Sequence, residues 1–155
     1  MPRAGRTYRV RSWLICDDVR IESNGKYILI GVYSGNITLR KPLPVTLPML
    51  AFWIQLDLQK IEYGNYELRL LDPRKREAAH FRGSARFARP DEPGVLICMT
   101  GPITLSSYGS YSVEFGMDGP PQLLGAFTVR SSQGDAPFKT AAATYRTLGG
   151  LSRQH

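Results

Sequence analysis

Leu50-Ala51-Phe52-Trp53-Ile54-Gln55-Leu56-Asp57-Leu58 puts a large apolar side chain at every even position, with Ala51, Trp53, Gln55 and Asp57 between them. Side chains in a strand alternate between two faces, so this run predicts a strand with Leu50, Phe52, Ile54, Leu56 and Leu58 against a core. A one-residue slip would turn all five to solvent, and the register is therefore strongly specified.

Outward from this strand the same period dominates. In Ser12 to Glu22, Trp13, Ile15, Val19 and Ile21 share one parity and Asp18, Arg20 and Glu22 the other. The pattern predicts one long strand. Ser23-Asn24-Gly25-Lys26 follows, and Asn-Gly between alternating runs is a strong hairpin signal, a two-residue turn with positive φ at both central residues. The return run KYILIGVY, residues 26–33, is apolar on both parities and predicts a strand buried on both faces or central in its sheet. Pro42, Pro44 and Pro48 mark an extended crossing loop. Further strands are expected near residues 65–71, 77–88, 95–105, 111–117 and 122–130, with turns at Asp72-Pro73, Pro90 to Gly94 and Asp118-Gly119-Pro120.

About eight short strands without interleaved helices predict an all-β fold: a two-sheet β-sandwich of mainly antiparallel strands, immunoglobulin-like or C2-like. A length of 155 residues suits one domain. It is expected over residues 9–130, with a flexible basic arm at 1–8 and a flexible tail at 131–155 holding at most one short helix over Thr140 to Leu148, which Gly149-Gly150 stops. Tyr63-Gly64-Asn65-Tyr66 and Tyr108-Gly109-Ser110-Tyr111 open two strands alike. Either the chain repeats itself or two hairpins share good turn chemistry, with a tyrosine hydroxyl bonding nearby backbone in the manner of a tyrosine corner.

The start of the chain lacks the pattern of a secretory signal, and no apolar run approaches the roughly 20 residues a spanning helix needs. A soluble, cytoplasmic protein with no membrane role is expected, in which Asn36-Ile37-Thr38 is a chance sequon. Cys16 and Cys98 lie in apolar runs and are expected to be buried free thiols, able to face each other across the sandwich.

Cys16-Asp17-Asp18-Val19-Arg20 with Gly25-Lys26, then Leu29-Ile30-Gly31-Val32-Tyr33, Leu47-Pro48 and a later Gly-x-Tyr strand resembles a family of small bacterial and phage all-β proteins of unknown function, over about residues 10–130. The resemblance implies a shared β fold and a prokaryotic source. Its motifs are turn and core residues and imply no activity.

Histidine occurs only at His80 and His155. Metal sites and imidazole-assisted nucleophiles are therefore poorly supplied, and no phosphate loop or Cys-x-x-Cys pair is present. No cofactor, metal or catalytic residue is expected, and the protein reads as a non-enzyme. Asp17 shares parity with Ile15 and Val19 and should point inward, either as a perturbed acid in a pocket or as a tie to a loop or an arginine.

The net charge of +7 is uneven: residues 1–11 carry four arginines and no acid, and residues 69–89 carry seven basic and two acidic side chains. Alternation turns Arg69, His80, Arg82 and Arg86 outward, and the turn adds Arg74, Lys75 and Arg76. This coherent basic face suits an acidic protein surface or nucleic acid, or it is the solvated face of a sheet. It lacks the aromatic ladder of single-strand binders. Trp53, Tyr63 and Tyr108 suggest a small-ligand site at a sheet edge or simple packing under loops. The reading is a non-enzymatic binding or assembly domain contacting another protein, an acidic one or a second copy of itself. Nucleic-acid binding through residues 69–89 is the alternative, and an enzyme with an unrecognised carboxylate site the third.

Overall fold

The computed structural model describes residues 8–132. The chain is all-β: among these residues there are twelve strands and no helix. In chain order they are β1 (Tyr8–Cys16), β2 (Asp18–Ile21), β3 (Tyr27–Ile30), β4 (Asn36–Leu39), β5 (Val45–Leu47) and β6 (Ala51–Leu58). Then follow β7 (Tyr63–Leu71), β8 (Glu77–Arg86), β9 (Gly94–Met99), β10 (Ile103–Leu105), β11 (Gly109–Met117) and β12 (Gln122–Ser131). The expected arm and the expected helix over Thr140 to Leu148 lie outside the described residues, except that Tyr8 opens β1 and Ser131 closes β12.

β6 is the centre of a three-stranded sheet ordered β1-β6-β9. A five-stranded sheet runs β4-β12-β11-β7-β8, and β2-β3 and β10-β5 form two-stranded sheets. Pairing is antiparallel throughout, apart from the parallel β12 and β4. The two larger sheets share one core, in which Phe52, Ile54 and Leu56 meet Leu68 and Leu70 of β7, Val113 and Phe115 of β11, and Phe127 and Val129 of β12. Leu50, Phe52, Ile54 and Leu56 are completely buried and Leu58 packs half-buried at the margin, so the register read from the sequence is the one adopted. Each large apolar side chain so buried contributes about 1.5–3 kcal/mol.

Twelve strands in four sheets replace the expected eight or so in two. The run expected as one long strand breaks at Asp17 into β1 and β2, because the chain leaves the three-stranded sheet there and doubles back through β3. Gly101-Pro102 likewise splits residues 95–105 into β9 and β10, since proline cannot donate to a ladder. Within the proline-rich crossing, Val45–Leu47 still pairs with β10.

The β2-β3 hairpin departs most from expectation. Its loop is three residues, Ser23 to Gly25: Glu22 N–H donates to Lys26 O at 2.8 Å, and Gly25 N–H to Glu22 O at 2.9 Å. Only Gly25 takes positive φ, at 81°, the bulged three-residue form. Nor is β3 central or doubly buried. Val19 and Leu29 pack on the outer face of the three-stranded sheet against Cys16, Ala51, Trp53 and Ile97, while Ile21, Tyr27, Ile28, Ile30 and Val32 stay exposed. Apolar residues on both parities here mark an overhanging flap rather than a central strand.

The tyrosine-corner expectation holds at one position. Tyr111 is fully buried, its hydroxyl donates to Ser107 O at 3.0 Å, and its ring stacks on Phe127 at 5.5 Å. Tyr66, in the same place of the other copy, is only half-buried against the core, and Tyr63, which matches Tyr108, is exposed like it.

Cys16 and Cys98 are buried and unbridged, on opposite faces of the same sheet. Cys98 packs in the main core, while Cys16 belongs to the cluster under the flap. They therefore do not face each other across a sandwich, and a sheet separates them. Burial pushes the Cys98 thiol up to about 12, and burial, with Asp17 beside it, also raises that of Cys16. Since the thiolate is the reactive form, a thiol reagent at neutral pH is expected to label neither cysteine in the native protein. Both should react after denaturation without reductant; labelling of either one in the folded chain would place it at the surface.

Candidate functional site

The β7-β8 hairpin brings the expected basic residues together, but with acids among them. β7 pairs with β8 so that Glu67 lies opposite Arg82 and Arg69 opposite His80. His80 Nε2 is 2.6 Å from Glu67 Oε1, and its Nδ1 is 3.4 Å from Glu77. Arg69 reaches both Glu77 and Glu114 at 3.4 Å, and Arg82 reaches Glu67 at 3.5 Å. Glu67 is held below the usual carboxylate range: burial pushes it up, but the His80 hydrogen bond and the Arg82 charge together outweigh that. The outward face is thus a charge-balanced ladder rather than a run of free cations. A count of charges along residues 69–89 misses this because Glu67 and Glu114 come from outside that window, and Glu114 from a different strand.

The turn is tied to itself in the same way. Asp72 is buried, and its Oδ1 accepts from the backbone N–H groups of Arg74 and Arg76 at 2.8 and 2.9 Å. Arg76 also donates from Nε to Asp72 Oδ2 at 2.8 Å. Lys75 takes positive φ and donates to Ser112 Oγ at 2.8 Å. Arg74 and Arg86 have no carboxylate partner among the described residues.

Asp17 is exposed, not inward, because the break between β1 and β2 lifts it out of the strand parity. Its carboxylate accepts a hydrogen bond from the Tyr33 hydroxyl at 2.5 Å, and its backbone N–H donates to Ile30 O at 2.9 Å. Burial, with the Asp17 hydrogen bond next, raises the Tyr33 hydroxyl above its ordinary range. The pair ties the flap to the end of β1, the structural alternative. Trp53 lies under the flap, edge-on to Tyr27 at 6.5 Å. Tyr63 and Tyr108 sit toward opposite ends of the antiparallel β7-β11 pair, so the three aromatics do not form one site. Among the described residues no group of His, Cys, Asp or Glu is arranged to hold a metal ion, and no helix is long and apolar enough to cross a membrane.

A wide concavity lies elsewhere, at the side of the molecule where the two larger sheets come edge to edge. Among the described residues β1 pairs with β6 and, at Ile15 alone, with Tyr33, and β4 covers β12 from Thr128 to Ser131. Tyr8–Trp13 and Gln122–Leu124 therefore flank a groove of about 550 Å³ without pairing across it. A smaller hollow of about 140 Å³ continues it between Trp13–Ile15 and Ala126–Phe127, at the end where Tyr33 and Gly35 bond to the two strands. A bulge between Val10 and Ser12 resets the parity of β1, so that Tyr8 and Val10 before it and Trp13 and Ile15 after it all point toward the core. The Trp13 ring lies directly over Gly125, where a Cβ would stand 2.3 Å from Cζ2. Glycine is required by that approach. Leu123 is 69% exposed on the rim. No sequence motif announces the seam, because an unpaired edge follows from which strands fail to meet.

A family model matches residues 11–130. The chain belongs to the DUF6941 family, a family of unknown function. Membership agrees with the resemblance carried by Cys16 to Arg20, Leu29 to Tyr33 and Leu47-Pro48. The DUF6941 match runs from within β1 to within β12, so it takes in most of the seam's walls along with the hairpin ladder. No curated protein matches the chain.

Proposed function

We propose that this DUF6941 chain is a non-catalytic, cytoplasmic β domain, its two larger sheets packed as a sandwich, that binds or assembles with another protein, and that the seam between β1 and β12 is its contact surface. The observation that carries the reading is the pair of strand edges, unpaired among the described residues over Tyr8–Leu14 and Gln122–Ala126, that flank a groove of about 550 Å³. Exposed edges offer ready hydrogen-bonding groups, and proteins that do not use them usually cover or blunt them. Leu123 supports it, as a large apolar side chain left on the rim.

The ladder on β7-β8 is the weaker candidate, since Arg69, Arg76, His80 and Arg82 already have carboxylate partners. Arg74, Lys75 and Arg86 remain, and they keep nucleic acid as a second reading.

Recovery of tagged full-length protein from its own cells, followed by identification of what is bound, tests both. Leu123→Asp is expected to lose the bound protein, and the double change Arg82→Glu and Arg86→Glu to retain it. Neither should shift thermal stability by more than about 0.5 kcal/mol, because these side chains are exposed. Loss with the arginine pair and retention with Leu123→Asp would move the contact to the ladder. Recovery of nucleic acid with steep salt dependence would favour the second reading.

A further inference from the structure

The chemistry of the groove narrows what can enter it. Its inner walls are apolar: Tyr8, Val10 and Trp13 from β1, Phe115 from β11 and Leu124 from β12. Its rim is cationic. Arg9 Nη2 is 2.7 Å and Arg11 Nη1 3.8 Å from the carboxylate of Asp57, so two guanidinium groups share one acid and a positive charge is left over. Both are exposed, with 78% and 53% of their side-chain surface open to solvent. The Arg9 hydrogen bond holds the Asp57 carboxyl below its ordinary range.

The backbone adds direction. Thr128 N–H donates to Gly35 O at 3.0 Å, on the side of β12 away from β11. Amides two residues apart in a strand share an edge, so the Ala126 amide faces the same way, at a point β4 no longer covers. A short extended segment of about six residues, roughly 20 Å, is as long as the Tyr8–Trp13 wall it would lie along. Its side chains would alternate between the apolar walls and the arginine rim.

Resting on the protein-binding reading, we infer that the seam takes an extended acidic peptide segment of a partner protein, which adds to the free edge of β12 with apolar side chains inward and carboxylates toward Arg9 and Arg11. The occupant is a strand rather than a helix, because among the described residues both walls present unpaired backbone.

The test uses the full-length protein and two amidated eight-residue probes, one alternating valine with glutamate and one alternating valine with lysine. Binding is read by fluorescence anisotropy, and the site by amide hydrogen exchange. The glutamate probe is expected to bind saturably and to slow exchange within Gln122–Ala126, leaving β8 unchanged. The lysine probe should bind at least about tenfold more weakly, and Arg9→Glu with Arg11→Glu should reverse that order. Those two arginines are exposed, and thermal melting of the double variant checks that it is folded. Absence of saturable binding, equal binding of the two probes, or protection at β8 or the flap instead of β12 overturns the inference. If this happens while Leu123→Asp still abolishes partner recovery, the protein-binding reading stands and the acidic strand alone is wrong.

Discussion

Ile54→Asp is expected to abolish cooperative unfolding. Ile54 is completely buried in the middle strand of the three-stranded sheet, opposite Trp13 on β1 and Leu96 on β9. An aspartate there forfeits the transfer energy of a buried isoleucine and places a carboxylate among Phe52, Leu56, Leu68 and Val113 with nothing to bond it. The combined cost of several kcal/mol is comparable with the whole stability of a domain, about 5–15 kcal/mol. Thermal or urea unfolding followed by tryptophan fluorescence checks it. A sigmoidal transition close to that of the parent would mean that the residue is not in the core.

Gly125→Ala is expected to cost about 1–3 kcal/mol, a large effect for one methyl group on a half-buried strand residue. The added Cβ would meet the rigid Trp13 ring at 2.3 Å, and the ring has no flexible end to bend aside. Trp13 must swing away from β12, carrying its contact with the core and widening the seam at its narrowest point. Chemical unfolding gives the stability loss, and the native tryptophan emission should shift toward a more solvated environment. Unchanged stability and emission would mean that Trp13 does not close over β12.

How much of this was legible in the sequence varies by element. β6 was readable because its alternation is clean and both of its faces differ, and the core followed from that register. The flap was misread because KYILIGVY carries apolar residues on both parities, which period alone cannot separate into central strand or exposed hairpin. Asp17 was misplaced for a related reason: parity was carried through a residue at which the chain leaves its sheet. The charge balance on β7-β8 was not legible, since Glu114 joins Arg69 only once β11 pairs with β7. The seam was invisible. Tyr8 to Trp13 and Gln122 to Ala126 are far apart in sequence, and their meeting without pairing is a property of sheet order.

The openness of that seam is measured most directly by hydrogen exchange at single amides of the free full-length protein. The Thr128 amide, bonded to Gly35 O, should exchange slowly, and the Ala126 amide on the same edge of β12 should exchange orders of magnitude faster, close to the rate of an exposed strand edge. Equal protection at Ala126 and Thr128 in the unbound protein would mean that the edge is already covered, and would contradict the assignment of this seam as the binding surface.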